Sequence, residues 1–397
     1  MILLYLYAAM IFMFNGEEGK VVFIYMVYAL CVIYLFLNLL SKRNGKLKYC
    51  RSIVLILFYI LYSLISILWA PLKDQAVSRG KAVILLLILT CLCFSNYKKD
   101  FLGKCLINAI IIGGLCESIY VIGHYGVNMM LSLITTGIRL NDVAINNVNT
   151  LSNTLVIAIV ATIAVIIFEN NYFLLVALIP EFFVLVSFSS RTAFIALIVS
   201  SIIILVNYRR LNKIERRPEY RIIMLLVMIV AIVLIIQVLN GESAITSRFE
   251  GLFSFVKGTG EGGRNNSLQD RSDFVKLGLQ AFANHPICGL GFANAGYSLI
   301  SEFGYMTYLH NNYVEILASG GIIGFVLYYG FYFRLLRKHI MKLKSGTSLL
   351  TIISFVTLCC EMVTQIGIVT YYSKVSWLLM TLWIIIAESD CECQRGN

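Results

Sequence analysis

The stretch from Tyr308 to Gly330, YLHNNYVEILASGGIIGFVLYYG, opens on polar residues and turns within a few positions into a run apolar enough for a lipid bilayer. Polar side chains are costly near a bilayer core, so a helix keeps them where they face water, a partner or a substrate. Read this way, the stretch is a membrane helix with a polar mouth. Its pattern recurs: apolar runs of about 20 residues, the length of one helical span, appear along the whole chain.

Composition agrees. Of 397 residues 59% are hydrophobic and only 13% charged, with a mean hydropathy of +0.84. Soluble domains carry about half apolar and a quarter charged residues. Alternating apolar and polar residues in short segments would mark a transmembrane β-barrel, and the chain does not show them. The expectation is an all-α, polytopic helix bundle of about 12 transmembrane helices. The runs fall near 1–14, 21–40, 52–70, 82–95, 102–122, 151–168, 172–188, 190–206, 221–240, 312–335, 348–370 and 374–388. The N-terminal run lacks a basic flank and a small-residue cleavage site, and reads as a retained helix.

Charge sets orientation. The net charge of +11 is concentrated in SKRNGKLKYCR (41–51), NYKKDFLGK (96–104), YRRLNKIERRPEYR (208–221) and RLLRKHIMKLK (334–344). These alternate with connections that are not strongly basic, so by the positive-inside rule they face the cytoplasm with both termini, and 15–20, 71–81, 123–150, 188–191, 241–311 and 371–374 face outward. No basic patch interleaves with aromatics in a soluble-looking segment, which argues against nucleic acid. Four parts follow: N-terminal helices 1–122, central helices 123–240, a large outward loop 241–311, and C-terminal helices with a cytoplasmic tail 312–397.

Within the outward loop, AITSRFEGLFSFV (244–256) has apolar residues at helical spacing and predicts an amphipathic helix at the membrane surface. SDFVKLGLQAFANHP (272–286) predicts a second, started near Asp270 or Ser272 and stopped by Pro286. GLGFANAG (289–296) is a glycine-rich turn; with no strand before it, it is no nucleotide cradle. Most of the 11 cysteines lie inside apolar runs, and no His/Cys spacing suggests a metal.

Four groups on the outward side have no role in orientation: Arg139, Arg191, Arg271 and His310. Arginine suits phosphate because its planar fork stays charged and donates paired hydrogen bonds. At Arg271 a helix N-terminus is expected to add free N–H groups and partial positive charge. Each residue alone has a structural reading, as a solvated loop residue, a snorkelling arginine or a helix cap; together they point to an anion site. The acids Glu117, Glu181, Glu315 and Glu361 lie in apolar runs, scattered over four helices. Gly320, Gly321 and Gly324 are expected to let neighbouring helices or a lipid chain approach closely.

At these residues the chain resembles the O-antigen ligase/polymerase family, bacterial membrane enzymes that handle polyprenyl-diphosphate-linked glycans. SFSSRTAFIAL (187–197), DRSDFVKLGLQAFANHPICGLGFANAG (270–296) and HNNYVEILASGGIIGFVLYYG (310–330) carry the resemblance. RLNDVAINNVNTLSNTL (139–155) matches more weakly, lacking the usual proline before asparagine. The resemblance implies a GT-C-like glycosyltransferase of the cytoplasmic membrane, with its active site outward. It implies that Arg191 and Arg271 bind the donor diphosphate, with Arg139 joining them, and that His310 stands beside the reacting centre. Asn311 or Glu315 would set the His310 tautomer. Donor and acceptor are then lipid-linked glycans in a membrane, and a chain-length regulator is a further expected partner. No cofactor or metal is expected, since the diphosphate is already a good leaving group. HNNYVEIL resembles polymerases, which join repeat units of O-antigen or capsule, more than ligases that load lipid A core, where Pro-His-Asn-Thr is commoner. The rival from another class is a flippase for the same lipid-linked unit. It does not explain a structured outward loop or polar groups gathered at one face, since transporters place their sites near the midplane.

Overall fold

The computed structural model describes residues 2–14, 20–42, 46–136, 147–188, 190–211, 266–346 and 348–388. Among these residues the regular structure is entirely helical. In chain order the helices are α1 (Ile2–Met13), α2 (Val21–Ser41), α3 (Arg51–Ile65), α4 (Lys73–Asn96) and α5 (Lys99–Tyr125). Then come α6 (Val127–Thr136), α7 (Val148–Glu169), α8 (Leu175–Phe188) and α9 (Arg191–Leu211). The C-terminal part holds α10 (Asn266–Asn284), α11 (Asn312–Ser345), α12 (Leu349–Thr364) and α13 (Lys374–Ala387).

Seven of these helices are long and apolar enough to cross a membrane, and four shorter apolar helices accompany them. The expected span at 221–240 and the surface helix at 244–256 lie outside the described residues, as does Arg139. Two expected loops are helical instead. Residues 73–81 begin α4, and α6 fills part of the connection after α5. Both are segments too polar or too short to register as apolar runs, yet their backbone bonds are satisfied most simply by continuing or adding a helix.

The chain divides into two compact units. The first holds residues 1–28, 105–265 and 346–364. Its centre is α7, almost wholly buried, with α8, α9 and α12 packed around it. Asn147 caps α7 by accepting the Asn149 N–H at 2.9 Å. A methyl group on Gly114 would stand 2.3 Å from Cβ of Ala158, so glycine there lets α5 lie against α7. Glu117 accepts a hydrogen bond from the Thr154 hydroxyl at 3.0 Å, giving a buried acid a partner on the neighbouring helix.

The second unit holds residues 29–104, 266–345 and 365–397. In it α11 packs against α3, α10 and α13, while α4 packs against α3 and α13. α10 buries Phe274 and Ala281 against Ala295, Leu299, Leu309, Val314 and Ala318. The amphipathic pattern expected over 272–286 thus finds its apolar partner in the turn and helix that follow it.

α11 is 34 residues long but broken at Gly321, where φ is 60° and ψ is −162°. The break is filled by the glycine-rich turn. Leu290 N–H donates to Ala318 O and Gly291 N–H to Ser319 O, both at 2.8 Å. Ile322 N–H donates to Pro286 O at 2.8 Å and Ile323 N–H to Ile287 O at 3.3 Å. Backbone groups that the interrupted helix leaves without partners are therefore paired by the loop, as a membrane segment requires. A Cβ on Gly321 would meet Ile287 O at 2.3 Å, and one on Gly289 would meet Gly321 N at 2.5 Å. The close approach anticipated at the glycines is made at Gly321 by the chain's own backbone, while Gly320 and Gly324 face Tyr62 of α3 at 3.7 and 3.3 Å. The Tyr62 hydroxyl donates to Gly320 O at 2.8 Å and Cys288 O at 3.1 Å, tying α3 to the same break.

Candidate functional site

His310 sits on the turn that enters α11, with φ at +55° in the left-handed region. A non-glycine residue there is uncommon and persists only when its surroundings fix it. Both flanks are fixed. The Asn311 side chain accepts the N–H groups of Tyr313 and Val314 at 3.0 and 3.1 Å, an N-cap for α11. The buried Glu315 carboxylate reaches back to accept the Leu309 N–H at 2.9 Å. Sequence reasoning gave Asn311 or Glu315 to the imidazole itself; the bonds here run from both to backbone N–H groups on either side of it.

The imidazole lies between aromatic rings. Phe274 of α10 is stacked on it with centroids 6.0 Å apart, and the Tyr308 ring is 4.2 Å away. Arg271 stands one helical turn before Phe274 on α10. Arg271, His310, Asn311 and Glu315 thus all belong to the second unit, while Arg191 belongs to the first.

The helix-terminus argument moves between the two arginines. α10 starts at Asn266, so Arg271 is its sixth residue and lies past the turn with free N–H groups. Asp270 and Ser272 are good starters, but Asn265, Asn266 and Ser267 offer an equally good start earlier. DRSD (270–273) therefore lies inside α10 rather than opening it. Arg191 is the first residue of α9, at the positive end of the helix dipole, which favours an anion.

Beneath His310, Asn312 is fully buried and uses every polar atom. Its Oδ1 accepts the N–H of Thr370 at 2.9 Å and of Tyr371 at 3.3 Å, its amide donates to the Tyr329 hydroxyl at 3.0 Å, and its own N–H donates to Gln365 O at 2.9 Å. The 365–373 turn is thereby fastened to the mouth of α11. That turn presents Tyr372, on which the Arg79 guanidinium of α4 rests 4.3 Å from the ring centroid. Burial and, next, Glu315 push the Tyr372 phenol above its usual range, so it stays neutral. α4 is set in place by the glycine-rich turn: Asn294 Oδ1 accepts the Leu72 N–H at 2.7 Å, and Gln75 donates to Ala293 O at 3.1 Å.

Sequence reasoning missed Asn312, Tyr308, Phe274 and Arg79. The triplet HNN flagged the place, but which asparagine caps and which bridges is a tertiary matter. Among the described residues no group of three or more His, Cys, Asp or Glu side chains is arranged for a metal.

Residues 173–329 match the family described as O-Antigen ligase, so this stretch carries that family's domain. It runs from the start of the α8 hairpin through the first half of α11 and contains Arg191, Arg271, His310, Asn311, Asn312 and Glu315. With seven helices long and apolar enough to cross a membrane, the match points to a multi-pass membrane protein that carries an O-antigen ligase-type domain over this stretch. No curated protein matches the chain.

Proposed function

We propose that the protein joins polyprenyl-diphosphate-linked oligosaccharide repeat units of O-antigen or capsular polysaccharide on the outer face of the cytoplasmic membrane. The reading is carried by His310, which is wedged against Phe274 one turn from Arg271, inside the stretch that matches the ligase family. In the proposed step an acceptor hydroxyl oxygen bonds to C1 of the donor sugar while the bond from C1 to the diphosphate oxygen breaks. The hydroxyl proton passes to His310, a group suited to proton transfer near neutral pH. The bonding pair leaves with the diphosphate. Arg191 and Arg271, with Arg139, keep the diphosphate-binding roles that the family resemblance assigns them. Cations fixed in advance stabilise the charge of the leaving group more than that of the ground state, which is what lowers the barrier.

The polymerase is preferred to the ligase on His310-Asn311-Asn312-Tyr313, where ligases more often show Pro-His-Asn-Thr. The family description favours the second reading, transfer of finished glycan to lipid A core. A broken helix such as α11 is also a transporter trait. Here Ala318 O and Ser319 O, with the N–H groups of Ile322 and Ile323, are already paired by residues 286–291, so these groups are not open to a transported ion.

Gel analysis of surface and lipid-linked glycans from a strain lacking the protein tests the reading. Core bearing one repeat unit, with the ladder gone, is the expected result. Bare core with long chains stranded on the carrier would mean ligase. Single units trapped on the inner face would mean flippase and remove the roles given to the arginines.

A further inference from the structure

We infer that Arg79 and Lys374 form an anion-binding subsite on the Tyr308 side of His310, taking a phosphate or carboxylate group. The inference rests on the proposed reading of the site as one for lipid-linked glycans. Neither residue lies within 173–329, so the family match assigns them nothing.

The two cations are placed where the fold itself gains little from them. Arg79 is exposed, and among the described residues no carboxylate lies within ion-pair distance of it. Its guanidinium lies over Tyr372, which holds the arginine through the face of the ring and leaves its N–H fork for another acceptor. Lys374 is the first residue of α13. A cation there faces the positive end of the helix dipole, the wrong sign for stability. It is also within electrostatic range of Arg79, a like charge. Glu315, an acid within range of Arg79, is already committed to the Leu309 N–H.

An anion between the two side chains would offset the repulsion and pair both charges. The turn between Gln365 and Lys374 adds donors. The hydroxyls of Thr370 and Tyr371 are buried, each about 1% exposed, with no hydrogen-bond partner among the described residues. Tyr371 lies within electrostatic range of Arg79 and Glu315. Such donors are seldom left unused in a folded protein. The same turn is anchored through Asn312 to the mouth of α11, and Tyr308 links the two places by packing on His310 and lying within range of Tyr372. The charge pattern puts residues 71–81 and 371–374 on the outer face, where lipid-linked glycan would be met.

Three sources offer this chemistry: the carrier diphosphate, an acidic sugar and an anionic lipid headgroup. The full chain in phosphatidylcholine nanodiscs is titrated with farnesyl diphosphate and, separately, with glucuronate. Retention of phosphatidylglycerol is read by native mass spectrometry. Wild type, the Arg79→Gln/Lys374→Gln double variant, Arg79→Lys and Arg271→Gln are compared. The double variant should weaken one of the three by about tenfold or more, and Arg79→Lys should recover only part of the loss. Whichever ligand is weakened identifies the source. Equal binding of all three by the double variant and wild type overturns the inference. If Arg271→Gln still weakens farnesyl diphosphate in that case, the proposed function is untouched. Wild type binding none of the three overturns the inference and the donor reading together.

Discussion

The His310 imidazole and the Phe274 ring lie nearly parallel, with centroids 6.0 Å apart and planes 18° from parallel. They come from different elements, the entry turn of α11 and the buried face of α10, and the contact fixes the ring of one against the core of the other. On the proposed function His310 takes the acceptor proton, a role that depends on such positioning because small misplacements cost large factors in rate. Phe274→Leu should keep the buried volume and lose the ring face. The expected result is polymer yield down by about tenfold or more, with normal gel-filtration behaviour, while His310→Ala should give no polymer. A wild-type ladder from Phe274→Leu would show that the stack does not matter.

The break in α11 demands a residue without a side chain. Gly321→Ala forces a left-handed backbone on alanine and drives its methyl into Ile287 O. A loss of about 2–3 kcal/mol is expected, read as thermal unfolding in detergent. Gly320→Ala is the control: its methyl would meet only the Tyr62 ring, at 3.7 Å, and should change little. Equal effects of the two substitutions would mean the break is not specified by glycine.

Asn312 is the bridge between the α11 mouth and the 365–373 turn. Asn312→Ala strands the Thr370 and Tyr371 N–H groups in a buried place, at about 1–3 kcal/mol for each donor left unpaired. Hydrogen exchange should rise at residues 366–373 and stay unchanged in α4 and α10. Uniform exchange across the second unit would instead point to general destabilisation.

At the basic end of α11, Glu388 accepts from Ser52 at 2.6 Å and from Arg334 at 2.9 Å. Removing Glu388 leaves the partly buried Arg334 guanidinium with only the Ser52 hydroxyl to meet. Glu388→Met should therefore cost about 1–3 kcal/mol. The double change Glu388→Met with Arg334→Met should be less damaging than the first alone, because no buried charge is left unpaired. A double variant less stable than Glu388→Met alone would contradict this.

Much of this arrangement was legible before any coordinates. Apolar run length named most of the helices, since each span must satisfy its own backbone in lipid. Asp270 and Ser272 misled because several adjacent residues cap equally well, so the start of α10 fell earlier. The segment 73–81 looked like a loop because its charges hid its helical backbone. The glycines of α11 were noticed, but Gly321 acts by a φ of +60°, and that angle leaves no trace in composition.

The sequence by itself determined the all-helical membrane class, the stretch carrying the ligase-family domain, and the identity of Arg191, Arg271 and His310 as residues to watch. Those features rest on local chemistry: hydropathy over a run, charge between runs, and short motifs. Only the tertiary structure decided that Asn311 caps, that Glu315 holds the backbone before His310, that residues 286–291 complete the broken helix, and that Arg79 rests on Tyr372. Each of these joins groups from separate turns or helices, and which pairs meet is set by packing, which no single segment encodes.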